Sequence, residues 1–133
     1  MIDAPAMLVL PSRDRAYLER TALPFEEIRE GGQAAVILRD VCLPTDKYDI
    51  AKTDVLFLLP PGYPDVPIDM FYLDPWARLK QSGACPRAAD TTQRFIDRDW
   101  QRWSRHNPEW QPGKDGIWTM IARMKLALGA ATQ

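Results

Sequence analysis

The hydrophobic and polar positions of the chain change period from one segment to the next. Ser12 opens a short segment in which Tyr17, Leu18 and Leu23 are the apolar positions, and its hydroxyl suits the N-cap of a short helix. Phe25 to Arg29 (FEEIR) reads as a strand, and Gly31-Gly32 is a hairpin signal. Ala34 to Val41 (AAVILRDV), rich in β-branched residues, is its partner and ends at Leu43-Pro44. Asp54 to Leu59 (DVLFLL) is an apolar run of strand length, stopped by Pro60-Pro61-Gly62. Ile68 to Leu73 (IDMFYL), between Pro67 and Pro75, is a fourth strand. Short connections in this order predict one antiparallel meander sheet.

From Trp76 to Gly113 the periodicity is lost. A segment this long inside a compact domain is usually functional or conceals short elements. Gln93 to Trp103 is one candidate helix, bringing Phe95, Asp99, Arg102 and Trp103 near each other. Periodicity returns with Ile117, Met120, Ile121, Met124 and Leu128, a core-facing helical stripe. Asp115 can serve its N-terminus and Gly129 its C-cap. The prediction is an α+β fold: helix, four-stranded antiparallel meander, long irregular segment, helix.

Composition narrows the class. At 133 residues, with 46% hydrophobic and 26% charged positions, the chain has the length and composition of a single globular domain. A net charge of −1 lacks the basic excess that phosphate neutralisation needs, so a nucleic-acid partner is not expected. No apolar run approaches about 18 residues, so no membrane span is expected. The opening MIDAPAMLVLP is apolar without a basic leader, which speaks against a secretory signal, and the low cysteine usage makes a reduced cytoplasm the expectation. Cys42 and Cys85 make no disulfide framework, and His106 is the only histidine, so sites built on several imidazoles are excluded. A Cys42–Cys85–His106 metal site has no supporting ligand spacing, and no metal or cofactor is expected. Cys42 reads as a small core residue at the end of its strand.

The element order, with Tyr63-Pro64-Asp65-Val66-Pro67 after the third strand and Trp110-Gln111-Pro112 before the last helix, resembles the ubiquitin-conjugating (UBC) superfamily. Its closer match is the bacterial branch called prokaryotic UBC family E. That pattern is carried by Leu59 to Asp65, Asp69-Met70-Phe71, Trp100-Gln101-Arg102-Trp103-Ser104-Arg105-His106 and Trp110 to Asp115. The resemblance covers essentially the whole chain and implies a UBC-like fold. It also implies an acyl transferase that carries a ubiquitin-like modifier as a (thio)ester to an amine. The prolines of the Tyr-Pro turn stiffen a connection and set strand register, so those residues read as builders of the fold. Trp100, Trp103, Trp110 and Trp118 read as a structural aromatic cluster under the long segment.

An acyl carrier needs a nucleophile, a group that stabilises the oxyanion, and an open groove. Familiar superfamily members place a cysteine shortly after His-Pro-Asn. This chain has Asp74-Pro75-Trp76 near that place, and an aspartate would repel an oxyanion. Counting forward from Phe71 puts Cys85 near the nucleophile position, whereas counting back from Trp110 reaches Arg102 to Ser104. Cys85 has the chemical advantage, since a thiol is partly thiolate at neutral pH, and Arg78, Arg87 or Arg105 could favour that form. Ser104 has a base two residues away in His106, on the same side if the backbone is extended. His106 could instead activate Cys85 across the groove. Arg102 and Arg105 could face an oxyanion or grip a partner's tail, or else pair with Asp97, Asp99 or Asp115.

By resemblance, the partners implied are a ubiquitin-like modifier, a ThiF-type activating enzyme and a JAB-type peptidase of the same pathway, often in antiphage defence. A competing function is a non-catalytic UBC-fold module that binds the modifier or its activating enzyme. The absence of His-Pro-Asn favours it. A small hydrolase built on Ser104 and His106 is remoter, because no Gly-x-Ser-x-Gly elbow is present.

Overall fold

The structure, a computed structural model, describes residues 8–106 and 108–133, so most of the apolar opening lies outside the described residues. Its elements are α1 (Ser12–Arg20), β1 (Phe25–Glu30), β2 (Gln33–Cys42), β3 (Lys52–Leu59), β4 (Met70–Asp74), β5 (Thr91–Phe95), β6 (Arg98–Ser104) and α2 (Ile117–Ala130). All strands pair antiparallel in one sheet of order β1-β2-β3-β4-β6-β5.

The predicted meander is present as β1 to β4, but the sheet has six strands, not four. The helix expected over Gln93 to Trp103 is instead the β5–β6 hairpin, turned at Ile96 and Asp97, whose φ values are +48° and +60°. Burial explains why. Trp100 and Trp103 are both fully buried, but in different clusters on opposite sides of the sheet. In a helix, positions i and i+3 share a face; in a strand they point to opposite faces. β6 therefore supplies a tryptophan to each side, and its Met70↔Ser104 to Leu73↔Gln101 register closes the edge that β4 would otherwise expose.

One face of the sheet packs on both helices. Leu18 of α1 and the stripe Ile117, Met120, Ile121, Met124 and Leu128 of α2 meet Val36, Leu38, Val55, Phe57, Phe71, Leu73 and Trp103. Trp103 stacks on Phe71 with ring centroids 5.3 Å apart and meets the Tyr48 ring at 6.3 Å. The other face carries Ile28, Ala35, Ile37, Leu56, Tyr72 and Trp100, and among the described residues no helix joins this cluster. Its cover is the β5–β6 hairpin, which folds back until the Ile96 N–H donates to Glu30 at 3.0 Å, on the opposite edge strand. The aromatic positions are thus dispersed rather than clustered: Trp110 lies against Tyr63 and Trp118 against Tyr17.

The helix ends differ from expectation. Pro11 occupies the N-cap of α1, and Ser12 is the first helical residue without a capping bond. Gly129 lies inside α2, which ends at an extended Ala131. No glycine cap is needed, because the Tyr48 hydroxyl donates to the Leu128 carbonyl at 2.5 Å and the Lys47 ammonium to that of Gly129 at 2.6 Å. Asp115 does serve the N-terminus of α2: its carboxylate accepts the Gln111 N–H at 2.6 Å and the Thr119 hydroxyl at 2.8 Å. The Tyr-Pro turn is a joint of the fold. Trp110 Nε1 donates to the Pro64 carbonyl at 2.8 Å, and the Tyr63 hydroxyl donates to the buried carboxylate of Asp14. Among the described residues, no helix is long and apolar enough to cross a membrane.

Candidate functional site

The segment from β4 to β5, residues 75–90, carries Cys85, and one side chain fastens both of its ends. Gln101 sits in mid-β6, fully buried on the Trp103 face. Its amide accepts the Ala77 N–H at 2.8 Å and donates to the Ala77 and Ala89 carbonyls, both at 2.9 Å. Between these anchors the backbone is held at several points. Arg78 pairs with Asp49 in both directions, Leu79 N–H meets the Ala84 carbonyl at 2.8 Å, and Arg87 N–H meets the Thr132 carbonyl at 2.8 Å. Cys85 is half-buried at the far end of this excursion, and Arg78 Nη1 donates to its Sγ at 3.2 Å. Of the three arginines that could face this thiol, Arg78 is the one in contact.

Asp74-Pro75-Trp76 is held by partners on β6. Arg98 donates to the Asp74 carboxylate at 2.5 Å, and Trp76 Nε1 donates to the Asp99 carbonyl at 3.0 Å.

Ser104 ends β6. Alternation puts its side chain on the face opposite Trp103, alongside Arg102, whose Nε donates to the Ser104 hydroxyl at 3.2 Å. Its backbone N–H donates to the Ala88 carbonyl at 3.1 Å, which lays the Cys85 loop against the end of β6. Among the described residues, no hydrogen bond joins the Ser104 hydroxyl to His106. His106 is 75% exposed and turns its Nδ1 toward Asp69, 3.7 Å from Oδ2. Its carbonyl accepts from Arg123 of α2 at 2.7 Å. The structure thus brings Ser104 to Arg102, His106 to Asp69, and Cys85 to Arg78.

Arg105 crosses from β6 to the loop. It donates to the Ser104 carbonyl at 2.8 Å and the Arg87 carbonyl at 3.2 Å, and its guanidinium lies 5.1 Å from the Trp103 ring centroid. Burial pulls its pKa below the ordinary arginine value, with Tyr48 opposing, yet arginine stays cationic. Neither Arg102 nor Arg105 forms an ion pair with Asp97, Asp99 or Asp115; Arg94 takes Asp97 and Asp99 instead. Arg87, Ala88, Ser104, Arg105, Ala127 and Ala130 line an open groove of about 360 Å³ between the loop and the end of α2.

Cys42, expected in the core, is exposed at the end of β2. Among the described residues, no group of three or more His, Cys, Asp or Glu side chains could hold a metal ion. Sequence reasoning missed the roles of Gln101 and Asp69. Gln101 left a trace: as the i−2 neighbour of Trp103 it shares that residue's apolar face, and a buried amide there demands backbone partners. Asp69 meets His106 only through the β4–β6 pairing, which the helical reading of residues 93–103 concealed.

An antiparallel sheet with two helices packed on one face is consistent with an E2-like fold. The chain belongs to prokaryotic E2 family E, whose family model matches residues 10–131. No curated protein and no solved structure gives a significant match.

Proposed function

We propose that this E2-like protein is a conjugating enzyme that carries a ubiquitin-like modifier as a thioester on Cys85. The observation that supports the reading is the contact of Arg78 with the Cys85 sulfur, on a loop anchored at both ends and reaching the surface. A thiolate is the attacking form of cysteine, and a guanidinium donor is the kind of neighbour it accepts from. In the charging step the Cys85 thiolate attacks the carbonyl of the modifier's C-terminal thioester on a ThiF-type activating enzyme. A new carbon–sulfur bond forms and the activating enzyme's thiolate leaves. In discharge an acceptor amine attacks the same carbonyl and gives up a proton. Cys85 leaves as thiolate and an amide remains. His106, its Nδ1 facing the Asp69 carboxylate, would take that proton on Nε2.

Ser104 is the less favoured nucleophile, because its hydroxyl meets Arg102 and not a base. Arg105 and the groove beside it would receive the modifier's tail, with Arg102 the second candidate for an oxyanion or tail contact. A JAB-type peptidase, a cytoplasmic setting and a role in antiphage defence complete the proposal by family resemblance. The test is charging with modifier, activating enzyme and ATP, read by intact mass. An adduct that survives in Ser104→Ala and is lost in Cys85→Ala supports the reading. An adduct lost only in Ser104→Ala moves the chemistry to the serine. Absence of any adduct, with the chain still binding the modifier or activating enzyme, makes it a binding module.

A further inference from the structure

The structure assigns Gln101 as a positioning residue for Cys85: its side-chain amide clamps the two ends of the loop that presents the thiol. The inference rests on the proposed role of Cys85, but the clamp itself is geometric. Ala77 and Ala89 are both fully buried and lie well apart along the chain, yet one carboxamide bonds to both. All three of its bonds to this segment are 2.8–2.9 Å long and lie where water does not reach. In such a place polar groups need their partners, and loss of one side of a buried bond strands the other. The amide also uses both chemistries of glutamine, accepting from one N–H and donating to two carbonyls. Glutamate has no donor for the carbonyls, methionine no donor or acceptor of comparable strength, and asparagine is one methylene shorter.

The clamp fixes more than the loop's ends. Arg78 follows Ala77 directly, so anchoring Ala77 sets where its guanidinium starts toward the sulfur of Cys85. Ala88 precedes Ala89, and its carbonyl accepts the Ser104 N–H, so the far anchor holds the loop against β6 beside the groove. Without the clamp the loop keeps its contacts to Asp49 and Thr132 but loses its common base, and the Arg78–Cys85 contact loosens.

The test reads that contact without any partner protein. In a Cys42→Ala background, Cys85 is the sole thiol, and its alkylation rates by iodoacetate and iodoacetamide are compared. The same thiolate attacks both reagents and displaces iodide, and only the first reagent is an anion attracted by Arg78. We expect the iodoacetate-to-iodoacetamide rate ratio to fall roughly threefold to fivefold in Gln101→Met, what one unit charge a few Å away supplies in water. The ratio should fall to the level set by Arg78→Ala, while Gln101→Met added to Arg78→Ala changes it no further. An unchanged ratio in a folded Gln101→Met protein overturns the proposal. Should that variant not fold, hydrogen exchange on the unaltered chain decides. The Ala77 amide must exchange as slowly as core amides of β4, and exchange at the rate of exposed loop amides overturns the clamp. Failure of charging in the unaltered chain, together with the expected fall of the ratio in Gln101→Met, would sink the conjugation reading and leave the clamp standing.

Discussion

Glu27 is the polar residue whose loss should cost the fold most. It lies on β1, is 6% exposed, and its carboxylate accepts four bonds. The Val9 and Leu10 N–H groups donate at 2.9 Å each, and Arg15 of α1 grips both oxygens at 2.7 and 2.8 Å. One carboxylate thus ties the incoming chain and α1 to the sheet. Burial pushes its pKa up, but Arg15 and the two N–H groups outweigh burial and hold it below the ordinary value of 4.5. Glu27→Gln keeps the shape and removes the charge. Breaking a buried pair costs about 3–5 kcal/mol, and the 21% exposure of Arg15 lets water recover part of it, so we expect about 2–3 kcal/mol. For a chain of this size that is a Tm drop of roughly 6–15 °C. The charge also sets a pH signature. A carboxylate with a lowered folded pKa stabilises above its unfolded value and loses that contribution as pH falls through the folded one. The gap between parent and variant in urea unfolding should therefore be full at pH 6–7 and narrow below about 4.5. A cost under about 1 kcal/mol at pH 7, or a gap that does not narrow in acid, refutes the reasoning.

The remaining predictions concern the turn and the site. Tyr63→Phe removes the donor to the buried Asp14 carboxylate and should cost about 1–3 kcal/mol at pH 7 by urea unfolding. Burial raises the Asp14 pKa against the bonds from Tyr63 and Ile117 and the charge of Arg13. Its stabilisation is thus present below about 3.8 and lost as pH rises through the folded value, so the Phe variant's deficit should grow from pH 3 to 7. Gly62→Ala places a Cβ 2.9 Å from Val66 Cγ2 at φ +90° and should lower stability by about 1–2 kcal/mol or more. His106→Ala should leave charging intact and slow discharge to free lysine by roughly 10²-fold, read by single-turnover gels; equal discharge removes His106 from the chemistry.

Legibility of the fold followed the simplicity of each burial pattern. α2 could be read because its buried positions recur at helical spacing, and β1–β2 because Gly31-Gly32 permits its turn. β5–β6 could not, because both sides of the sheet carry a core and β6 feeds both, which erases alternation. The same two-sidedness makes Ala35 to Leu38 a continuous buried run, and it misled the reading of Cys42. That residue lies beyond the register shift between Leu38 and Val41, where its neighbours Val41 and Leu43 join the helix-side core and the second cluster does not extend. Cys85, Ser104, Arg102, Arg105 and His106 are candidates that chemistry alone nominates. Their pairing could not be read, since Arg78 to Cys85 and Asp69 to His106 follow from a loop path and a strand register that local sequence does not encode.

The central claim is that Cys85 carries the acyl group, and locating the junction tests it most directly. Cys85→Ser, charged with modifier and activating enzyme, should trap an oxyester that survives digestion. Trypsin releases position 85 in the peptide Gln81–Arg87 and Ser104 in Trp103–Arg105, so tandem mass spectrometry separates the two sites. The account predicts the modifier's C-terminal remnant on Gln81–Arg87. A remnant on Trp103–Arg105, in this variant or in the unaltered chain, contradicts it.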